Sequence, residues 1–138
     1  DTTAVPDGRY RVKVVASDAP SNPADSAMTH ARITDPFVID NTPPMILKLA
    51  KEQAGDKVTL KVFPTDALSP IAKATATVDA GGEPLHGSPG DGVWDERSES
   101  VSIEVDLADY APGPHLLIVN VSDSAGNTAS AAVEVVKP

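Results

Sequence analysis

A chain of 138 residues with 13 Pro, 9 Gly and only 4% aromatics has the composition of short strands joined by frequent turns. Its net charge of −9, from 20 acidic against 11 basic residues, repels nucleic-acid phosphates and anionic membranes. The absence of Cys excludes a disulfide framework, a thiolate zinc site and a cysteine nucleophile, and no apolar run reaches the roughly 18 residues of a membrane-spanning helix.

No stretch holds a 3.6-residue apolar period free of Pro or Gly, so the expected elements are strands. Residues 9–18, RYRVKVVASD, alternate Tyr10, Val12, Val14 and Ala16 against Arg9, Arg11 and Lys13, the pattern of a half-buried antiparallel strand. Residues 28–33 and 36–40 form a return segment interrupted at Pro36. After the pair Pro43-Pro44 come strands at 45–52, 57–64, 71–79, 100–107, 115–123 and 128–136. Turn-forming clusters separate them: 6–8, 20–26, 81–92, 111–114 and 124–127.

One segment occurs twice. PDGRYRVKVVASDAPSN (6–22) aligns with PGPHLLIVNVSDSAGN (112–127) once one residue near the Pro is dropped. Gly8 then falls on Gly113, Tyr10 on His115, Val12 on Leu117, Val14 on Val119, Ser17-Asp18 on Ser122-Asp123 and Asn22 on Asn127, a constant spacing of 105 residues. That spacing is close to the ~100 residues of an immunoglobulin-like sandwich, which predicts modules in tandem rather than a solenoid. Residues 1–43 are then the terminal strand pair of one module plus a linker, and 44–138 a complete module of seven strands. FVIDNTPP (37–44) is the junction, where two prolines deny a helix and bias the residue before them to an extended form.

The stretch from Ala74 to Asn127 resembles bacterial Ig-like or fibronectin type III-like modules. The resemblance is carried by Val78-Asp79-Ala80-Gly81-Gly82, by Asp91-Gly92-Val93-Trp94-Asp95, by Pro112-Gly113-Pro114-His115 and by Asp123-Ser124-Ala125-Gly126-Asn127. It implies an all-β antiparallel sandwich, preceded here by the terminal hairpin of a similar module. It also implies a larger secreted, cell-surface or periplasmic bacterial protein, of which a chain beginning at Asp1 would be an excised or processed part.

Chemistry-bearing residues are few. Tyr10 and His115 each follow a turn at the start of an alternating strand, where such sandwiches place a corner residue whose polar tip bonds nearby backbone. His30 and His86 lie in unrelated segments, so the three histidines form no zinc spacing. Asp91, Asp95, Glu96 and Glu99 surround Trp94, the one tryptophan. They would make a glycan platform if the indole stacked on a sugar; otherwise Trp94 covers the edge of the core and the acids are solvated. Asp40, with Asp18, Asp25, Asp35 or Asp123, would suit Ca2+, which takes oxygen ligands, although the turn alone explains Asp123 and Asn127. No other cofactor is expected.

The function expected is a non-catalytic spacer, docking or adhesive unit, with a carbohydrate-binding accessory domain as the alternative. Its partners would be neighbouring domains of the parent protein and a protein or glycan ligand, with no nucleic acid and no membrane insertion. Because a lone two-stranded hairpin is marginal in water, either the early strands of the first module were cut away, or residues 1–40 pack on 44–138 or on another chain, the last case giving a dimer.

Overall fold

The structure, a computed structural model, describes residues 2–138 and is all-β, with no helix among them. Its strands are β1 (Gly8–Tyr10), β2 (Lys13–Ser17), β3 (Thr29–Ile33), β4 (Phe37–Ile39), β5 (Met45–Ala54), β6 (Lys57–Thr65), β7 (Ile71–Val78), β8 (Gly81–His86), β9 (Ser88–Pro89), β10 (Val101–Asp106), β11 (Gly113–Asp123) and β12 (Thr128–Lys137). The chain divides into two compact units, the first ending at Asp40 and the second running Asn41–Pro138.

The first unit holds two separate antiparallel pairs, β1 with β4 and β2 with β3. The single strand expected at 9–18 is therefore split after Tyr10. Its partner segment explains the split. Pro36 has no N–H to give a ladder, and Thr34 inserts its side chain, accepting at Oγ1 from Val12 N at 3.0 Å while its own N donates to Val12 O at 2.9 Å. The expected burial also fails here. β2 and β3 are exposed on both faces, with Val14 60%, Val15 55% and Ile33 60% accessible. The alternation is present in the residues, but a two-stranded ribbon has no second layer to bury it.

The second unit has two four-stranded antiparallel sheets, ordered β5-β6-β10-β9 and β12-β11-β7-β8. Every second residue of the inner strands enters one shared cluster: Val58, Leu60 and Val62 of β6, Val101, Ile103 and Val105 of β10, and Leu117, Val119 and Val121 of β11. Each is buried completely or nearly so, and each such side chain contributes about 1.5–3 kcal/mol through removal from water. β7 supplies small residues at the tightest point, Ala76 opposite Val119 and Ala74 opposite Val121. Two layers sharing one core is the arrangement of a β-sandwich.

This unit has eight strands against the seven expected of the module and the six that alternation located, because 81–92, read from its Gly and Pro as turn, contains β8 and β9. Neither strand is favoured by local propensity. Pairing makes them: β8 lies on β7 with Thr75 opposite His86, and β9 lies on β10 with Val101 opposite Pro89. The single residue between them, Gly87, carries the chain from one sheet to the other.

The β7–β8 turn has Asp79 and Ala80 at its tip with φ of 53° and 58°. Two successive positive φ values belong to the hairpin turn that matches strand twist and normally takes Asn or Asp followed by Gly. Asp tolerates this region; Ala does not. Ala80→Gly is therefore expected to stabilise the protein by about 0.5–1 kcal/mol, read as a raised urea midpoint at constant slope.

Candidate functional site

The most closely organised polar group in the second unit forms where that turn meets the start of β11. Asp79 reaches across on three bonds: its N donates to Leu116 O at 2.8 Å, its Oδ1 accepts from Leu116 N at 2.8 Å, and its Oδ2 lies 2.7 Å from Nδ1 of His115. The other imidazole nitrogen, Nε2, lies 2.7 Å from Ala111 O. Tyr110 closes one side of the ring edge-on, with centroids 5.5 Å apart. The His115 side chain is buried, whereas the Asp79 side chain is half exposed.

A carboxylate oxygen and a carbonyl oxygen both accept only, so the geometry suits an imidazolium donating from both nitrogens. The Asp79 hydrogen bond, followed by the bond to Ala111 O, raises the His115 pKa above 6.5. The bonds from His115 and from Leu116 N lower the Asp79 pKa below 3.8. A raised histidine contributes stability that is complete below its unfolded pKa and disappears as pH rises through the folded one. A lowered aspartate contributes stability that is complete above its unfolded pKa and disappears as pH falls through the folded one. The pair thus supports the fold most between 3.8 and 6.5 and loses strength on the alkaline side of 6.5.

Tyr10 does the same work in the first unit. Its hydroxyl donates to Pro6 O, four residues earlier, at 2.6 Å, just as Nε2 of His115 meets the carbonyl four residues before it. Tyrosine is uncharged across this range. His115→Tyr should keep the bond to Ala111 O, lose the ion pair with Asp79, and flatten the fall in melting temperature between about pH 6 and about pH 9. A variant that retained the wild-type slope would assign the titration to another group.

Both repeated segments also close their hairpins alike. Asp18 N donates to Met28 O, and its Oδ1 accepts from Met28 N at 2.6 Å. Asp123 N donates to Asn127 O, and its Oδ1 accepts from Asn127 N at 2.9 Å, with Oδ2 taking the Asn127 side chain. Ser17 then faces Thr29 as Ser122 faces Thr128, although the first loop is longer. These aspartates are held in turns. Asp25 and Asp35 lie in exposed coil and turn of the first unit, and Asp40 is its buried last residue. Within the second unit, Asp123 is joined by Asp66, with carboxylate oxygens within 4.8 Å of one another. Asp66 Oδ1 accepts from Leu68 N and Ser69 N, both at 2.8 Å, so it too shapes its own loop.

The segment around Trp94 is stitched to that loop. Asp66 N donates to Arg97 O, Ile71 N donates to Glu96 O, and an Arg97 guanidinium nitrogen donates to Ala67 O at 2.7 Å. Trp94 is half-buried and packs against the core, while Asp91, Asp95 and Glu96 are exposed. Asp91 Oδ1 accepts from Val93 N at 3.0 Å, a local turn bond. Glu99 is the buried acid of this loop, not a solvated one, and its Oε1 accepts from Glu96 N at 3.3 Å.

Sequence reasoning placed His115 at a corner but missed Asp79 as its partner. The only signal was an aspartate at the tip of a strand-end turn, and nothing local links it to a residue 36 positions later. No family model matches this chain, and no curated protein matches it in sequence.

Proposed function

We propose that the chain is a non-catalytic structural and interaction module of a larger exported bacterial protein, with an Ig-like or fibronectin type III-like sandwich at 44–138. In this reading, residues 1–43 are the terminal strand pair of a similar preceding module and its linker. The observation that carries the proposal is the state of the pair formed by the buried His115 and the half-exposed Asp79. Both nitrogens of His115 are taken up by Asp79 and Ala111 O, and each Asp79 oxygen accepts a bond that fixes the turn, so the pair is wired to its own backbone rather than presenting the imidazole to a substrate for general acid–base work. The strand orders support the fold reading, since β5-β6-β10-β9 and β12-β11-β7-β8 follow the A-B-E-D and G-F-C pattern of immunoglobulin sandwiches with one added edge strand. The matching corner and hairpin bonds at a 105-residue spacing support the tandem arrangement.

The experiment is an assay of the purified chain against esters, peptides and glycosides, with Trp94 emission titrated against glycans in parallel. No turnover and a flat emission curve are expected. Hydrolysis abolished by Asp79→Asn would overturn the non-catalytic reading, and a saturable glycan-dependent shift would replace it with the carbohydrate-binding one.

A further inference from the structure

The two repeated hairpins have the same internal wiring but different surroundings, and the difference identifies what the first one lacks. In the second unit β11 is a central strand, with β12 on one edge and β7 on the other. Its residues Leu117, Val119 and Val121 are fully buried. Their equivalents 105 residues earlier, Val12, Val14 and Ala16, are all exposed, and β2 has β3 on one edge and no strand on the other among the described residues.

Main-chain direction shows that this edge is open for pairing. In an antiparallel strand, successive residues turn their N–H and C=O to opposite edges. Val12 exchanges bonds with Thr34, and Asp18 N donates to Met28 O, so the even-numbered residues of β2 serve β3. Lys13, Val15 and Ser17 therefore present their N–H and C=O outward. In β11 the division is the same: Asp123 bonds toward β12, while Leu116 bonds toward Asp79 at the end of β7.

We propose that the open edge of β2 is a strand-acceptor site for an antiparallel extended segment with the side-chain pattern of β7, supplied by polypeptide outside residues 1–138. The inference rests on the module reading above and names its partner by chemistry. The β7 register transfers directly. Val78 faces Leu117, Ala76 faces Val119, Ala74 faces Val121 and Ile71 faces Asp123, which places a Val, two Ala and an Ile opposite Val12, Val14, Ala16 and Asp18. A groove of about 450 Å³ lined by Ala16, Asp18, Met28 and His30 lies over the same end of the hairpin. Small residues at the middle positions let the strand sit close, as Ala74 and Ala76 do in β7. A second copy of this chain is a poor donor, because its own β7 is already buried between β11 and β8. Symmetric pairing of two β2 edges would also bring together strands bearing Arg11 and Lys13.

The test supplies the strand as a peptide of sequence IAKATATVD, residues 71–79, to the full 138-residue chain, and follows amide exchange by NMR. Saturable slowing at Lys13, Val15 and Ser17 is expected. Val15→Pro in the chain removes one outward N–H without touching a bond to β3, and should abolish the effect while the Thr34 and Asp18 amides, bonded across the β2–β3 pair, keep their native exchange rates. Thr75→Pro in the peptide leaves the protein unaltered and should weaken binding by about tenfold. Unchanged exchange at those amides in millimolar peptide would overturn the proposal. So would protection already present without peptide in a chain that sediments as a dimer, since the occupant would then be a second copy. Neither result bears on the hydrolysis assay, so the module reading stands or falls separately.

Discussion

Val119→Ala is expected to destabilise the second unit by about 2–3 kcal/mol, whereas Val14→Ala, the same substitution 105 residues earlier, should change stability by less than about 0.5 kcal/mol. Val119 is fully buried in β11, packed among Ala76 of β7 and the opposing sheet, so truncation removes about two buried methyl groups and leaves a cavity the rigid strands cannot close. Val14 is 60% accessible, and water already occupies the space its methyls would vacate. Urea unfolding followed by far-UV circular dichroism reports the strands of both units, and Trp94 emission reports the second alone, because that indole packs against its core. Equal effects of the two substitutions would mean that the β2 face is covered in solution. The pair therefore doubles as a check on whether that face is as exposed as the structure shows.

Gly87→Ala is expected to cost about 1–3 kcal/mol, although replacing Gly by Ala usually stabilises by restricting the unfolded chain. A Cβ at this position would stand 2.6 Å from Cγ1 of Val101, 3.0 Å from Cγ1 of Ile103 and 3.2 Å from Ala74 O. Val101 and Ile103 are fully buried, so neither can swing toward solvent, and the Ala74 carbonyl is fixed by the bond it accepts from Gly87 N at 2.9 Å. The cost is steric, not conformational. Val101→Ala removes the nearest atom, so the double variant Gly87→Ala/Val101→Ala should be less destabilised than the two single effects added together. Strict additivity would place the strain elsewhere. Gly87 and Ala80 thus make opposite demands at the two ends of β8: one position has no room for a methyl group, and the other has a methyl group its backbone disfavours.

Much of the second unit was legible because its core strands alternate. Val58, Leu60 and Val62, or Val101, Ile103 and Val105, announce both the strand and the face it buries, since side chains on a strand point alternately to its two sides. The corner role of His115 was legible from the repeat and its preceding turn. Its partner was not, because the bond to Asp79 depends on how β7 registers on β11, with Leu117 opposite Val78. The strands β8 and β9 were hidden for a related reason. Their residues have turn-like propensities, and only the neighbouring β7 and β10 make them extended.

The 9–18 segment marks the limit most clearly. Tyr10, Val12, Val14 and Ala16 alternate as well as any strand in the chain, yet none of them is buried. Alternation records which face would be buried if a second layer were present; it cannot supply the layer. Local physics, acting through period-two patterning, turn residues and a repeated corner, is enough to determine the all-β class, most strand positions and the wiring of both hairpins. Which strands become neighbours, which acid meets His115 and which face is left open depend on contacts between residues tens of positions apart, and those free energies exist only once the sheets have formed.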